Sequence, residues 1–246
     1  MRFSLAAFSG LLLLTLPATV LPASAQTSIF LTPVPNAPFS AVVDVQRTII
    51  RSDGSVFNLK SIRGLARDGI GRIHNESRML IPATSTSTPE IDHIHLYDPR
   101  TRVSTELDAR KRTFYSQTMN HPPSTVPPTV RFGSPSDTGV PKNDFSEEED
   151  LGSQEIEGVS AHGVRETQII PAEGNETGKE ITITDEYWYS DELRINLVIK
   201  HSDPRKGTTT LTVTHITRGE PDPALLEIPE GYTRAGAAQL APQATK

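Results

Sequence analysis

The sequence predicts a mainly β protein, a curved antiparallel sheet of half-barrel or sandwich-like form with few helices. Short segments between residues 41 and 233 alternate apolar with polar side chains, which is the period of a half-buried strand. Turn signals such as Asp53-Gly54 and Asp68-Gly69 separate these segments at short intervals. No segment has the period of a long amphipathic helix, so a sandwich or barrel-like sheet is favoured over β-α-β units.

The first 25 residues have the three-part pattern of a secretory signal peptide. Arg2 precedes the apolar run of residues 5–16, and Ala23-Ser24-Ala25 forms a small-x-small cleavage site. The apolar run is shorter than the roughly 20 residues that span a bilayer. We therefore expect a bacterial protein that is periplasmic or secreted, with no stable membrane insertion after leader cleavage. The alternative is that the leader stays attached as a membrane anchor.

Composition excludes several classes of function. The chain has no cysteine, so disulfides, zinc-thiolate sites and cysteine nucleophiles are excluded. Its net charge of −6 makes it a poor candidate for binding nucleic acid, because that affinity depends largely on Lys and Arg meeting phosphates. The same charge argues against non-specific adhesion to an anionic membrane.

The predicted elements follow one another with short connections. Residues 26–40 are expected to form an extended N-terminal arm, because their prolines fix the backbone and remove amide donors. In the first half of the chain the predicted strands cover residues 42–50, 56–61, 71–80, 91–98, 102–107 and 112–119. In the second half they cover residues 156–170 with a break near 161–163, then 180–189, 193–201, 208–217 and 225–228.

The predicted domain organisation is a single β-rich domain, residues 41–233, with one interruption. Residues 120–153 carry six prolines and then the acidic run Glu147-Glu148-Glu149-Asp150. A polar, proline-rich loop of this length is usually a disordered linker or a functional lid, and we favour disorder. Residues 234–246 show no period and are expected to form a disordered tail.

The densest group of functional side chains lies between Thr184 and Leu193. It contains the single tryptophan of the chain, Trp188, between two tyrosines and next to two acidic pairs. On a strand, Glu186 and Trp188 face one side and the tyrosines the other. An aromatic cluster can line a pocket for an apolar ligand or a sugar, whereas the alternative is that Trp188 anchors the core. The predicted ligand-binding residues are Trp188, Tyr187, Tyr189, Glu186, His162 and Arg165.

A catalytic role has fewer supporting patterns. His93 and His95 project to the same side of a strand, as a metal site requires, with a third ligand expected from His162 or His215. Ser160 and His162 have the types of a nucleophile and its base, but the Gly-x-Ser-x-Gly elbow is absent. We therefore predict no catalytic residue, no metal and no cofactor, and keep His93 and His95 as the metal candidates.

Several strings give the sequence a family likeness. Glu149-Asp150-Leu151-Gly152, Ile156-Glu157-Gly158-Val159 and Ser202-Asp203-Pro204-Arg205 resemble uncharacterised exported proteins of environmental bacteria. The likeness extends over residues 41–233. That family has no assigned activity, so it implies no catalytic residue.

A more distant resemblance is to the LolA/LolB-like periplasmic lipoprotein-carrier half-barrel. It rests on the leader, the successive short strands, the Trp188-bearing strand and the closing Leu226-Glu227-Ile228-Pro229-Glu230-Gly231-Tyr232 segment. In that fold a curved sheet wraps an apolar cavity that holds acyl chains, so the resemblance implies a lipid or another apolar ligand. Helices usually plug that cavity, and this sequence has no pattern for them.

The hypothesis that follows is an exported non-enzymatic β-protein that binds an apolar or amphipathic ligand or an envelope protein partner. Two alternatives remain open. One is a metal-dependent or hydrolytic secreted enzyme that uses His162, His93, His95 and Glu186. The other is a structural or assembly protein of the cell envelope, in which the 120–153 loop docks a partner.

Overall fold

The fold consists of β-strands and two short helical turns. The computed structural model describes Ile29 and residues 31–120, 145–175 and 177–235. In chain order the strands are β1 (Phe39–Ile50), β2 (Val56–Arg67), β3 (Ile73–Arg78), β4 (Ile81–Pro82), β5 (Ile91–Asp98), β6 (Val103–Asp108), β7 (Thr113–Thr118), β8 (Ser146–Ile156), β9 (Val159–Ile170), β10 (Ile181–Ser190), β11 (Ile195–Asp203), β12 (Gly207–Arg218) and β13 (Thr233–Arg234). Two 3₁₀ helices cover Ala172–Gly174 and Pro223–Leu226.

All thirteen strands belong to one open, curved sheet. Its order is β13-β7-β6-β5-β3-β2-β1-β12-β11-β10-β9-β8, and β4 pairs with β2 off this path. The pairings are antiparallel apart from the short parallel contact between β13 and β7. The predicted mainly β, antiparallel fold class is therefore confirmed. Within the described ranges, no helix has the length and apolar character needed to cross a membrane.

The central hairpin shows how the sequence pattern positions side chains. β1 pairs along its whole length with β2 on one edge and with β12 on the other. The β1–β2 turn is closed by Asp53, whose Oδ1 accepts hydrogen bonds from the amide and hydroxyl of Ser55 at 2.9 and 2.6 Å. Gly54 supplies the positive φ, 81°, that this turn requires. Every second residue in the first half of β1 is buried, namely Phe39, Ala41, Val43 and Val45.

We call the side of the sheet that carries Val43, Leu65 and Leu211 of the main hydrophobic core the core-facing side. Apolar side chains from β1, β2, β3, β5, β9, β10, β11 and β12 form this core. A single sheet layer must cover its apolar face, and part of that cover is the N-terminal arm. Ile29 and Leu31 of the arm are buried in this core.

Arg67, at the end of β2, attaches the arm to the sheet. Its guanidinium is fully buried and donates to the carbonyl oxygens of Thr32 at 3.0 Å and Ala37 at 2.8 and 2.9 Å. A further hydrogen bond reaches the Leu193 carbonyl at 2.6 Å. Burial lowers the pKa of Arg67 to about 10, so the side chain stays charged at neutral pH. The charge is balanced by carbonyl dipoles and by the Phe39 ring, 5.1 Å away.

A second, smaller core lies on the opposite side of the sheet. Ile94, Leu96 and Leu107 of β5 and β6 form it, and Phe114 and Tyr232 pack against it. Because side chains alternate along a strand, Ile94 and Leu96 face away from Tyr97, which belongs to the main core. The chain near its described C-terminal end covers this second core.

Four sequence predictions need correction. The acidic run Glu147–Asp150 lies in strand β8, so the insertion predicted for residues 120–153 ends before β8; residues 121–144 lie outside the described part of the chain. β9 runs without a break through residues 161–163. The predicted strand 225–228 is replaced by the second 3₁₀ helix, and Arg234, expected in the disordered tail, belongs to β13. The predicted leader, residues 1–25, also lies outside the described residues.

Candidate binding surface on the core-facing side of the sheet

The predicted aromatic segment forms strand β10, and the structure divides it between the two sides of the sheet. Trp188 lies directly opposite Gly163 of β9 and Val198 of β11. Its indole Nε1 donates a hydrogen bond to Glu186 Oε1 at 2.8 Å. Trp188 is half-buried and packs against the edge of the main core. Its indole is thus fixed at both its polar and its apolar end.

Glu186 is the centre of an ionic cluster. Lys200 Nζ lies 2.6 Å from Glu186 Oε1, and Arg165 Nη2 lies 3.1 Å from Oε2. Arg165 also pairs with Glu149 of β8 at 2.8 Å. Burial alone would raise the pKa of Glu186, but hydrogen bonds from Lys200, Trp188 and Arg165 outweigh it and lower the pKa. Glu186 is therefore held as a carboxylate, which suits a fixed ionic contact better than proton transfer near neutral pH.

Tyr187 and Tyr189 face the opposite way from Trp188 and are buried. Tyr187 pairs with Val164 of β9 and with Ile199 of β11. Burial raises the pKa of both phenols. The structure therefore brings Trp188, Glu186 and Arg165 together and separates them from the two tyrosines. A ligand-binding role for this group remains a prediction.

His162 lies in the hairpin formed by β8 and β9. Its Nε2 is 3.2 Å from Asp150 Oδ1, and its Nδ1 is 3.3 Å from Ser153 Oγ. Ser160, which has the residue type of a nucleophile, is exposed on β9. Ser153, His162 and Asp150 are thus in contact, but 39% of the His162 side chain and 71% of the Asp150 side chain are exposed. Solvent exposure of this kind weakens the electrostatic interactions between such groups.

The His93–His95 pair lies on β5, on the core-facing side, next to a carboxylate that the sequence pattern did not single out. Glu106 of β6 forms a hydrogen bond with His93 Nε2 and lies 3.7 Å from His95 Nε2. The hydrogen bond to Glu106 raises the pKa of His93, whereas burial lowers the pKa of His95. A search of the described residues finds no group of three or more His, Asp or Glu side chains arranged to hold a metal ion.

These histidines belong to a polar patch that continues the core-facing side beyond the main core. The strand register places Leu65, Asn75, His95, Glu106 and Tyr115 in one row across β2, β3, β5, β6 and β7. The row begins with the buried Leu65 on β2, and its side chains on β3 to β7 are polar. The polar patch, as we define it, comprises Asn75, His93, His95, Ser104, Glu106 and Tyr115.

Arg63 lies between the main core and the polar patch. It pairs across the β1–β2 ladder with Val43, which is fully buried, and it shares a side of β2 with Leu65. Arg63 is half-buried, and burial lowers its pKa. The Arg63 guanidinium forms no ion pair and no hydrogen bond with the described part of the chain. A partly desolvated guanidinium without a partner is costly, so this position is suited to an anionic group supplied from outside.

Tyr97, which neighbours the patch, presents a second unsatisfied group. Its hydroxyl is buried and has no hydrogen-bond partner among the residues that the structure describes. Burial raises the pKa of this phenol, so the hydroxyl keeps its proton and is available as a donor. Buried polar groups without partners are uncommon in native proteins.

The sequence reasoning missed Arg63 because it ended the second strand at residue 61. Extending the same alternation places Ser61, Arg63, Leu65 and Arg67 on one side of β2. The signal that would have identified Arg63 and Arg67 is that they alternate with Leu65, an apolar residue on the same side of the strand. Glu106 had no such signal, because its contact with the histidines depends on the β5–β6 register.

A separate groove of about 580 Å³ lies between the arm and the β10–β11 turn. It is lined by residues 34–37 and by Asp191, Glu192 and Arg194. Arg67 adjoins the groove, because its guanidinium donates to the carbonyls of Ala37 and Leu193. The side chains of Asp191, Glu192 and Arg194 that line the groove are charged, whereas the groups of Arg63 and Tyr97 beside the apolar core are unpaired within the described part of the chain.

No protein-family model matches the sequence, and no curated protein matches it. Structural matches exist, all at low identity. An uncharacterized conserved protein from Thermus thermophilus is 10% identical with a TM-score of 0.40, and the match covers 81% of this chain and 90% of that one. The Pseudomonas aeruginosa MucA/MucB complex gives 12% identity and a TM-score of 0.36 over 77% of this chain and 55% of that chain.

A LolA superfamily protein from Nitrosomonas europaea is also similar in structure. It is 11% identical with a TM-score of 0.28, over 79% of this chain and 92% of the other. The solved structures that match this chain thus include a protein of the LolA superfamily, the kind of protein named by the sequence resemblance. These likenesses concern the fold, and the function is argued from this chain's own residues.

Proposed function

We propose that this chain is a non-enzymatic exported protein that binds an amphipathic ligand with an anionic head group on the core-facing side of its sheet. The observation that carries the proposal is Arg63, a half-buried guanidinium with no described partner, located where the apolar core meets the polar patch. A carboxylate or phosphate of the ligand would accept hydrogen bonds from that guanidinium.

The neighbourhood of Arg63 suits both parts of such a ligand. Towards the β1–β2 turn, the same side of the hairpin carries Leu59, Phe57 and Ile49, which are apolar and incompletely buried. Towards β7, it carries the histidines and Asn75. The apolar tail of such a ligand would lie along Leu59, Phe57 and Ile49, and its polar head would lie near the histidines and Asn75.

The proposed location and partner class agree with this binding role. The leader predicts export to the periplasm or the exterior, where lipids and other amphipathic molecules of the envelope are present. An envelope protein that offers an acidic, amphipathic segment would satisfy the same groups. Metal-dependent or hydrolytic chemistry has less support, because the histidines proposed for it, His93 and His162, are paired with carboxylates in partly exposed positions.

The test begins with the ligand that the protein retains. The full chain, purified without detergent, is examined by native mass spectrometry and by lipid extraction; a bound anionic amphiphile is the expected result. Titration with a fluorescent fatty acid and with its methyl ester then isolates the role of charge. Arg63→Met is expected to weaken binding of the acid about tenfold, equivalent to about 1.4 kcal/mol, and to leave the ester unchanged.

Arg72→Met is the matched control, because Arg72 is paired with Asp68 in a turn at the far end of β2. It should bind both probes like the unmodified protein. A wild-type protein that binds neither probe and retains no amphiphile would overturn the proposal. A correctly folded Arg63→Met variant that binds the acid as tightly as the wild type, or that loses acid and ester equally, would also contradict it, because neither result depends on the charge of the probe.

A further inference from the structure

Large apolar side chains are exposed at one end of the central hairpin. Val56 is 57% exposed and Phe57 40%, and Met79 and Leu80, which precede β4, are each 39% exposed. Single exposed apolar residues are common on proteins, but a contiguous group marks an interaction surface. We call this group, with the β1–β2 turn and the neighbouring β11–β12 turn, the hairpin tip.

The strand register makes these residues neighbours. Val56 pairs with Ile50 and Phe57 with Ile49 across the β1–β2 ladder. β4 pairs with the same part of β2, through Pro82 with Leu59 and Ile81 with Lys60. β4 therefore lies beside residues 59 and 60, near the same end of the hairpin. Val56 and Phe57 are consecutive and face opposite sides of β2, so the exposed apolar side chains lie on both sides of the hairpin end rather than on one face.

Basic side chains surround this surface. The amide of Ile50 donates to the Lys206 carbonyl at 2.9 Å, so the β11–β12 turn lies against the end of β1. The Arg51 guanidinium lies over the Phe57 ring, 4.4 Å from its centroid. The basic residues near the tip ends of these two hairpins are Arg47, Arg51, Lys60, Arg205 and Lys206. The acidic ones nearby are Asp53 in the first turn, Asp203, which is buried and paired with Arg205 at 2.8 Å, and the exposed Glu90, whose carbonyl accepts a hydrogen bond from the Met79 amide.

The local charge is thus opposite to that of the whole chain, which carries −6. An exposed apolar group ringed by cations has the chemistry of a surface that binds anionic lipid head groups. From this complementarity we propose that the hairpin tip docks on the surface of an anionic phospholipid bilayer. Val56, Phe57 and Leu80 enter the head-group region, while Arg51 and Lys206 lie near the phosphates.

This docking is peripheral and involves no membrane-spanning segment. It goes beyond ligand binding at Arg63, because Val56, Leu80, Arg51 and Lys206 have no role in that binding, although Phe57 is shared by the two surfaces. A protein that binds amphipathic molecules gains from such a surface, since it positions the core-facing side close to a source of those molecules. Either property can nevertheless exist without the other.

Vesicle co-sedimentation of the full chain tests the proposal. Vesicles in which about a third of the lipid is phosphatidylglycerol should sediment the protein at low ionic strength, and added salt should release it. Phosphatidylcholine vesicles should bind it more weakly. The double variant Val56→Ser with Phe57→Ser should lose binding to both. Arg51→Gln and Lys206→Gln should each weaken binding to the anionic vesicles about fivefold, and binding to phosphatidylcholine much less.

Matched controls come from the opposite end of the strands. Leu225→Ser removes another exposed apolar side chain, in the 3₁₀ helix that contacts β3. Arg100→Gln removes an exposed cation from the β5–β6 turn. Both should sediment like the unmodified protein. Circular dichroism and thermal melting of each variant establish that it is folded.

Three results would overturn the proposal. In the first, the wild-type protein does not sediment with anionic vesicles at low salt. In the second, the tip variants, correctly folded, sediment as the wild type does. In the third, light scattering shows a dimer in the absence of lipid that Phe57→Ser dissociates, which would assign the surface to a second copy of this chain. Fatty-acid binding by the Arg51→Gln and Lys206→Gln variants keeps the two proposals distinguishable, because neither residue belongs to the proposed ligand site and a variant that loses vesicles but retains the acid affects only this proposal.

Discussion

The indole ring of Trp188 lies against the backbone of Gly163 with no room for a side chain between them. A Cβ atom built on Gly163 would come within 2.7 Å of Cη2 and Cζ3 of the ring. Gly163 and Trp188 are directly paired on β9 and β10, so neither can move away without disturbing the ladder. The glycine that the sequence suggested as a strand break is therefore required for packing within an unbroken strand.

Gly163→Ala is expected to lower the free energy of unfolding by about 1–3 kcal/mol, the usual cost of overpacking. Urea unfolding followed by tryptophan fluorescence measures the change. Gly64→Ala is the control, because a Cβ there meets Glu76 at 3.5 Å, an ordinary contact. It should leave the stability unchanged or raise it by up to about 1 kcal/mol.

A double variant checks that the ring causes the effect. Combining Gly163→Ala with Trp188→Leu removes the clash, so its cost should be smaller than the sum of the two single costs. Additive costs would contradict the assignment of the strain to the indole ring. For this variant, circular dichroism replaces fluorescence as the signal.

Arg67→Met tests whether one buried guanidinium holds the arm to the sheet. The substitution leaves the carbonyls of Thr32, Ala37 and Leu193 without their donor. Because each unsatisfied buried group costs about 1–3 kcal/mol, we expect a loss of at least about 3 kcal/mol in unfolding free energy. Hydrogen exchange of residues 31–38, followed by mass spectrometry, should accelerate beyond that of the β11–β12 hairpin.

The control for this variant is Arg72→Met, whose guanidinium is about a third exposed and paired with Asp68. Asp68 is buried but keeps the hydrogen bonds from the amides of residues 70 and 72, so the variant should cost about 1–3 kcal/mol and leave exchange in the arm unchanged. If Arg67→Met folds and its arm exchanges as slowly as before, the arm is held by its other contacts, namely the buried Ile29 and Leu31 and the hydrogen bond from the Asn36 amide to the Gly69 carbonyl at 3.0 Å.

The pKa values of His93 and His95 should be shifted in opposite directions from that of a free histidine. The hydrogen bond to Glu106 raises the pKa of His93 above its ordinary value of 6.5, whereas burial lowers that of His95 below it. A raised pKa means that His93 contributes stability below its unfolded pKa, and that this contribution disappears as pH rises through the folded pKa. Since more than a third of His93 and of Glu106 is exposed, the contribution should stay below about 1 kcal/mol.

Nuclear magnetic resonance titration of the imidazole protons measures both values. Glu106→Gln should lower the pKa of His93 and reduce stability at mildly acidic pH more than at pH 8. His95→Gln, which leaves Glu106 in place, should keep the pKa of His93 raised. A His93 pKa that does not respond to Glu106→Gln would contradict the contact.

The strands that could be predicted from the sequence are those with one buried side. β5 was placed at residues 91–98, its observed limits, because Ile94 and Leu96 alternate with His93 and His95 before the Asp98-Pro99 turn. The sequence pattern did not predict β8, because an edge strand that is exposed on both sides does not require apolar residues at every second position. Its extended form depends on pairing with β9, which a local pattern does not contain.

The candidate site was less predictable for a related reason. Arg63 and Arg67 break the apolar alternation of β2, so local patterning hides that both face the core. The partners of Arg67 are 30, 35 and 126 residues away in sequence, and only the folded chain brings them together. Trp188 and Glu186 could be placed on a common side by alternation, but their contacts with Gly163, Arg165 and Lys200 depend on the register of three strands.

Glu186→Gln tests the ionic cluster behind Trp188 and should act with the opposite pH dependence to His93. The pKa of Glu186 is lowered, so its contribution is present above the unfolded pKa and is lost as pH falls through the folded pKa. Its side chain is 12% exposed and accepts from Lys200, Arg165 and Trp188, and hydrogen bonds to a charged group contribute about 1.5–3 kcal/mol. Glutamine still accepts a hydrogen bond from the indole but lacks the charge, so we expect the free energy of unfolding to fall by about 1–3 kcal/mol at pH 7 and by less towards pH 3.

Glu192→Gln is the control. Glu192 pairs with Arg218, and both side chains are 48% exposed, so this substitution should cost less than about 1 kcal/mol. Urea unfolding at pH 7 and pH 3 separates the two, and an equal, pH-independent loss in both variants would exclude a stabilising role for the charge of Glu186.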